Sequence, residues 1–170
     1  MRLAVLVFVA AMALSPIATT AAAGRKAPRI ESSQVVGLTR LLEEQPHHEQ
    51  APAIRALMLE WEDKTSDAVD YVCPGVLSPV PDDGVPNGPE LLAQFIFGSA
   101  AFQVASPAQK GALQPGQLAG MRSMLKAYQS FLANDPSARI PRFDELVDKE
   151  ADGSLAAYLE PIVTAECKQE

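Results

Sequence analysis

Apolar residues recur along this chain at the spacing of amphipathic helices. The most regular stripe lies in segment 117–133, at successive intervals of three and four residues: Leu118, Met121, Leu125, Tyr128 and Leu132. Such intervals place side chains on one face of an α-helix. We predict that this helix begins near Gln117, after Pro115 and Gly116, and stops before Pro136.

The same periodicity predicts five further helices. Their approximate ranges are 33–44, 52–63, 89–105, 141–152 and 154–166. Ser32 or Ser33 can cap the first of them, and Pro161 should bend the last. The helix at 89–105 is apolar almost all round, which indicates a central position, and its small residues at 98–101 offer a flat surface to a neighbouring helix.

No segment alternates between apolar and polar residues with the period of two that a strand shows. The predicted fold class is therefore all-α: a compact bundle of about six short helices whose neighbours are largely antiparallel. Residues 64–73 leave two interpretations open, a continuation of the second helix or a short separate turn. Residues 73–89 hold five prolines and three glycines, which predicts one long loop without helix or strand.

The N-terminus has the pattern of a cleavable secretory signal peptide. Arg2 is followed by an unbroken apolar run from Leu3 to Leu14, and small residues precede Gly24. The run is shorter than the roughly 20 residues that a bilayer span needs. We therefore expect cleavage near Ala23, a periplasmic or secreted protein without a stable membrane anchor, a flexible arm at 24–31 and a single helical domain at 32–170.

Charge narrows the class of partner. The formal net charge of the chain is −7, and it becomes −8 once Arg2 is removed with the signal peptide. An acidic surface repels the phosphates of nucleic acids and favours partners with a basic surface. We expect no binding of nucleic acid.

The chain has two cysteines, Cys73 and Cys167. An exported protein meets an oxidising compartment, where an even pair of cysteines usually closes. We predict a disulfide between them that serves structure. Catalytic disulfide exchange normally uses two cysteines with only two residues between them, whereas Cys73 and Cys167 are far apart in sequence.

Residues with catalytic or metal-binding chemistry form no recognisable set. His47 and His48 are adjacent in a proline-marked turn, without the spacing that places two histidine ligands on one helix face. Close acidic pairs such as Glu60 and Glu62 are expected to lie on solvated faces, since the chain has 21 acidic residues. We therefore predict no catalytic residues, no metal site and no cofactor.

The predicted long loop is the best candidate for an interaction surface. Its prolines restrict the unbound conformation, which lowers the cost of ordering on association. The candidate partner-binding residues are Asp82, Asp83, Val85 and Asn87. This predicts a non-enzymatic protein that binds another protein in the cell envelope. In general layout the chain is similar to small disulfide-bonded helical immunity proteins of the periplasm, but no motif carries a site over.

A second hypothesis is an exported carrier of a small ligand, or a hydrolase. Its pocket would lie between the second, third and fourth predicted helices, at 52–63, 89–105 and 117–133. A cleft with a buried carboxylate cluster would favour this hypothesis, and a filled core would favour protein binding.

Overall fold

The computed structural model describes residues 29–80 and 82–167. The predicted signal peptide and residues 24–28 of the predicted arm lie outside these ranges. Within them the chain forms seven α-helices: α1 Ser32–Glu44, α2 Ala51–Glu62, α3 Pro74–Leu77, α4 Gly88–Ala105, α5 Leu113–Asn134, α6 Pro141–Ala151 and α7 Leu155–Glu166. Two short 3₁₀ turns, Pro107–Gln109 and Pro136–Ala138, precede α5 and α6. The described residues contain no strand, so the all-α prediction is confirmed.

The six predicted helices correspond to α1, α2 and α4 to α7. The stripe that predicted α5 is its packing face, since Met121, Leu125 and Tyr128 are all buried. No helix of the described residues is long and apolar enough to cross a membrane.

The predicted start of α5 near Gln117 is wrong by one turn. The helix begins at Leu113 and includes Pro115. Proline is tolerated there because the first four backbone N–H groups of a helix have no intrahelical acceptor, so its missing N–H costs no hydrogen bond.

The prediction that residues 73–89 contain no helix is also wrong. Pro74–Leu77 forms the single turn α3, with proline in the first position, where its fixed φ suits a helix. Val76 and Leu77 of this turn are buried in the core. Burial of these two side chains explains why a segment this rich in proline still folds back onto the bundle.

The residue that caps the start of α1 is not the predicted Ser32 or Ser33. Glu31 takes the capping position, and its backbone N–H donates to the side-chain oxygen of Gln34 at 2.8 Å. The Ser32 hydroxyl instead donates to the Asp67 carboxylate at 2.5 Å. Ser32 therefore joins the start of α1 to the segment that follows α2.

The bundle is built around the pair α4 and α5. Gly98 of α4 faces Ser123 and the backbone oxygen of Ala119, and a Cβ added at Gly98 would lie 2.9 Å from that oxygen. From the other side, a Cβ at Gly120 would lie 2.8 Å from the backbone oxygen of Phe95. These glycines let the two helix backbones approach closely, as predicted for the small residues at 98–101.

Apolar burial divides into two clusters on either side of α4. The larger one joins α3, α5, α6 and α7 and includes Phe95, Tyr128 and Phe143. The smaller one joins α1 and α2 to α4 and includes Phe97 and Met58. Because α4 contributes to both clusters, it is buried on most of its circumference, as its all-round apolar sequence predicted.

Candidate functional site

The predicted disulfide is present. Cys73 and Cys167 are bonded, with their Cα atoms 5.3 Å apart and a sequence separation of 94. The bond joins the C-terminal end of α7 to the residue before α3. It therefore fixes the end of residues 68–73 and the start of α3, and the acidic loop 82–87 follows α3 in the chain.

The acidic loop 82–87 contains the four predicted partner-binding residues, in two different environments. Asp82 and Asp83 are exposed, and the described residues supply no cation within ion-pair distance of either carboxylate. Val85 is half-buried and packs against the larger core cluster. Asn87 is half-buried and adopts a left-handed backbone, φ 53, immediately before α4. The loop thus presents two carboxylates outward and packs its end on the bundle.

Backbone hydrogen bonds hold both ends of this loop. The N–H of Asp82 donates to the oxygen of Pro79 at 2.8 Å, and the N–H of Gly88 donates to the oxygen of Val85 at 3.1 Å. Val80, just before the loop, is only 5% exposed. The two aspartates therefore project from a closed turn with a buried anchor.

Residues 68–73 form a second unusual surface, which we call the extended segment. It has no helix, turn or bend, and it ends at Cys73 with φ −106 and ψ 112. Residues 68–73 therefore match neither interpretation, since they neither continue α2 nor form a turn, whereas Lys64 lies in the turn that ends α2. The reason lies in side chains from α4 and α5.

Gln103 of α4 binds the backbone of the extended segment on one edge. The N–H of Val69 donates to the Gln103 Oε1 at 2.9 Å, and the Gln103 Nε2 donates to the oxygen of Val69 at 3.0 Å. The same Oε1 also accepts from the N–H of Gly111 at 2.9 Å. Gln103 is 2% exposed. Its buried side-chain amide therefore makes the two hydrogen bonds to Val69 that the backbone of a neighbouring strand would make in a sheet.

Gln117 of α5 continues this edge two residues later. Its Nε2 donates to the backbone oxygen of Tyr71. Gln117 is 1% exposed, so it too binds the segment from inside the bundle. Both backbone groups of Val69 and the backbone oxygen of Tyr71 thus bond to side chains of the bundle.

In the extended segment, the backbone groups of Asp70 and Val72 have no hydrogen-bond partner in the described structure. Neither the N–H nor the oxygen of Asp70 or Val72 makes a hydrogen bond to any described residue. In extended chain, the backbone groups of neighbouring residues point to opposite edges. Asp70 is exposed, and Val72 is the most exposed large apolar residue of the described chain at 52%. The outer edge therefore faces solvent.

A pair of carboxyl groups lies beside the extended segment. Burial, together with the hydrogen bond and negative charge of Asp70, raises the pKa of Glu62 to about 9. The Glu62 Oε2 is buried and has no hydrogen-bond partner in the described structure. Glu62 was predicted to lie on a solvated face beside Glu60. That prediction is wrong, because Glu62 turns toward Asp70 while Glu60 binds Lys64 at 2.6 Å.

A buried polar network joins α1, α4 and α5. The Ser123 hydroxyl donates to the Glu43 Oε1 at 2.6 Å, and Lys126 binds the other carboxylate oxygen at 3.1 Å. Gln94 donates to the Ser123 oxygen at 2.8 Å and to the backbone oxygen of Thr39 at 3.1 Å. Each member is bonded within the bundle, so the network positions helices rather than presenting reactive groups.

The two adjacent histidines, His47 and His48, make different local contacts. His47 is exposed and packs edge-on against Phe131, with ring centroids 4.8 Å apart. The His48 Nδ1 accepts from the backbone N–H of Gln50 at 3.2 Å. The described residues contain no group of three or more histidine, cysteine, aspartate or glutamate side chains that could hold a metal ion.

Four surface clefts bear on the carrier or hydrolase hypothesis. One of about 550 Å³ lies between α1 and α5, beside Glu43 and Lys126. One of about 390 Å³ lies between the start of α1 and the end of α2, beside Trp61. The other two lie along α1, α4 and α5 and between α5 and α7. None of these four is the pocket expected between α2, α4 and α5.

Three buried glutamines that organise the site were not predicted from the sequence: Gln94, Gln103 and Gln117. Each is nearly fully buried and binds backbone or side chains of another helix or segment. Their position within apolar stretches could have indicated that they are buried. A buried amide in turn needs hydrogen-bond partners. The sequence could not show which partners these are.

Comparison of the chain with protein-family models, with curated proteins and with solved structures gave no match.

Proposed function

We propose that this protein is an exported, non-enzymatic helical domain that binds another protein of the cell envelope. The predicted signal peptide supports a periplasmic or secreted location, and the acidic net charge supports a partner with a basic surface rather than nucleic acid. The proposal includes no cofactor and no membrane anchor in the mature chain.

One observation carries this proposal: the two adjacent carboxylates of Asp82 and Asp83 project from an anchored turn without a neutralising cation in the described structure. Two like charges side by side repel each other, which costs free energy in the isolated chain. A basic partner would remove that cost. Because the turn is already closed, little conformational entropy would be lost on binding.

The test begins by cross-linking the purified mature protein in the envelope fraction of the producing cell and identifying what is bound. The affinity of the purified partner is then measured at low and at high salt. We expect Asp82→Ala combined with Asp83→Ala to weaken binding and to reduce its salt dependence without changing the melting temperature.

A matched control is Asp148→Ala combined with Glu160→Ala. Both residues are exposed on α6 and α7, and this variant changes the net charge by the same two units. The control should bind like the wild type. Equal affinity of the loop variant and the wild type at low ionic strength would refute the role of the acidic loop.

Export is tested separately. Mass spectrometry of protein from the exported fraction should find an N-terminus near Gly24. Intact Met1 to Ala23 on membrane-bound material would refute cleavage.

A further inference from the structure

The outer edge of the extended segment has the properties of a sheet edge without a neighbouring strand. On the inner edge, Gln103 binds the N–H and the oxygen of Val69, and Gln117 binds the oxygen of Tyr71. The backbone groups of Asp70 and Val72 have no partner in the described structure. Proteins usually cover or interrupt such an edge, because it is a template for pairing with another chain.

We propose that this edge binds an extended segment of a partner protein by strand addition, through the backbone groups of Asp70 and Val72. This inference rests on the proposed protein-binding function and specifies how the partner is held. Backbone hydrogen bonds supply affinity in this mode of recognition, and alternate side chains supply specificity.

The side chains at this edge define the chemistry of the partner segment. Asp70 and Val72 are two residues apart and so lie on the same face of an extended chain. Asp70 favours a lysine or arginine across from it, and the 52%-exposed Val72 favours an apolar residue two positions away. We therefore expect a partner segment in which a basic residue and an apolar residue are separated by one residue of any type.

The surrounding charge supports a basic partner. The last turn of α2 and the residues that follow it contain Glu60, Glu62, Asp63 and Asp67, while Lys64 neutralises Glu60. Among the described residues, no cation lies within ion-pair distance of the carboxyl group of Asp70 or of its neighbour Glu62. A cation from the partner would fill that position.

The edge is also prepared for binding before the partner arrives. Two buried amides hold its inner side, and the disulfide fixes its end at Cys73. A strand that is already extended loses less conformational entropy on pairing than a mobile loop does. The remaining cost is that of ordering the partner segment.

The test uses the intact mature protein with its disulfide and an acetylated peptide of seven alternating lysine and valine residues. Hydrogen exchange measured by NMR should show that the amides of Asp70 and Val72 exchange fast in the free protein and become protected at least tenfold with the peptide. The amide of Val69 should be protected in both states, because Gln103 already binds it.

Two comparisons separate backbone pairing from charge attraction. A peptide of the same sequence with N-methyl groups on alternate backbone amides keeps its charge, and we expect one of the two methylation registers to reduce affinity at least tenfold. Val72→Pro removes one outward N–H, and it should reduce affinity by a similar factor, whereas Val72→Ala keeps the N–H and should bind within a factor of about three. Protection of the Val69 amide reports whether the Val72→Pro variant remains folded at this site.

Absence of peptide binding at millimolar concentration, or binding that neither methylation register reduces, would overturn the inference. Protection of the Asp70 and Val72 amides that rises with protein concentration alone would assign the edge to a second copy and would also overturn it. Either result leaves the Asp82 and Asp83 experiment unaffected, so failure here is distinguishable from failure of the proposed function.

Discussion

The Ser123 hydroxyl of α5 donates a 2.6 Å hydrogen bond to the carboxylate of Glu43 on α1. Glu43 is 8% exposed and Ser123 is 3% exposed, so this bond lies inside the bundle. A buried carboxylate is tolerated only when its oxygens are bonded. The pair is therefore a structural constraint on how α1 lies against α5.

Removal of that hydroxyl should destabilise the protein. Ser123→Ala leaves the Glu43 Oε1 without its donor and takes an acceptor from Gln94. We expect a loss of about 1–3 kcal/mol in the free energy of unfolding, measured by urea denaturation. Ser130→Ala is the control. The Ser130 hydroxyl also donates to Glu43, but to its backbone oxygen in a partly buried position and not to its carboxylate. It should cost less than Ser123→Ala, and an equal cost would contradict a special role for the carboxylate.

The contact between α4 and α5 depends on the absence of a side chain at Gly98. Gly98→Ala would place a Cβ against Ser123 and 2.9 Å from the oxygen of Ala119. Separation of the two helices should cost roughly 1–3 kcal/mol, seen as a lower melting temperature. Gly37→Ala in α1 is a matched control, because nothing lies within 4 Å of its Cβ. That variant should gain about 0.5–1 kcal/mol, since alanine favours the helix. Stabilisation by both changes would refute close packing at Gly98.

Loss of the disulfide should reduce stability without changing the fold class. Cys73→Ser combined with Cys167→Ser removes a bond between residues with a sequence separation of 94. The expected cost is about 2–5 kcal/mol in the free energy of unfolding. The wild type in reducing agent should match the double variant, while the double variant itself should not respond to that agent. A stability equal to that of the oxidised wild type would contradict the prediction.

Stability should also depend on pH through Glu62. Burial holds the pKa of Glu62 at about 9 in the folded chain, against an ordinary value of 4.5. Between these two values the unfolded chain has released a proton that the folded chain keeps, so the free energy of unfolding falls as pH rises. Glu62→Gln should flatten this slope and stabilise the protein at pH 8 by on the order of 1 kcal/mol, a value reduced for partial solvent screening.

Glu60→Gln is the control for this effect. The hydrogen bond from Lys64 lowers the pKa of Glu60, so replacing this carboxylate should bring no stabilisation at pH 8. Urea denaturation between pH 5 and pH 9 measures both variants. A slope in Glu62→Gln equal to that of the wild type would show that Glu62 is not the group responsible.

Local sequence determined most of the helices, because the spacing of apolar residues in each amphipathic stripe places them on one face, which is then buried. The intervals of three and four residues in α5 place Met121 and Tyr128 on the same side whatever packs against them. The disulfide was also predictable, since the chain offers only Cys73 and Cys167. The start of α5 was missed because proline also ends helices, and only its place in the first turn makes it acceptable.

Tertiary structure alone decided the rest of the site. Residues 68–73 are extended because Gln103 and Gln117, more than 30 residues later, bind their backbone. Glu62 is half-buried beside Asp70, although the charged residues Glu60 and Asp63 near it in sequence are exposed. Periodicity reports which face of an element is buried, but the partner of a buried amide or carboxylate is set by segments far away in sequence, so only the folded chain identifies it.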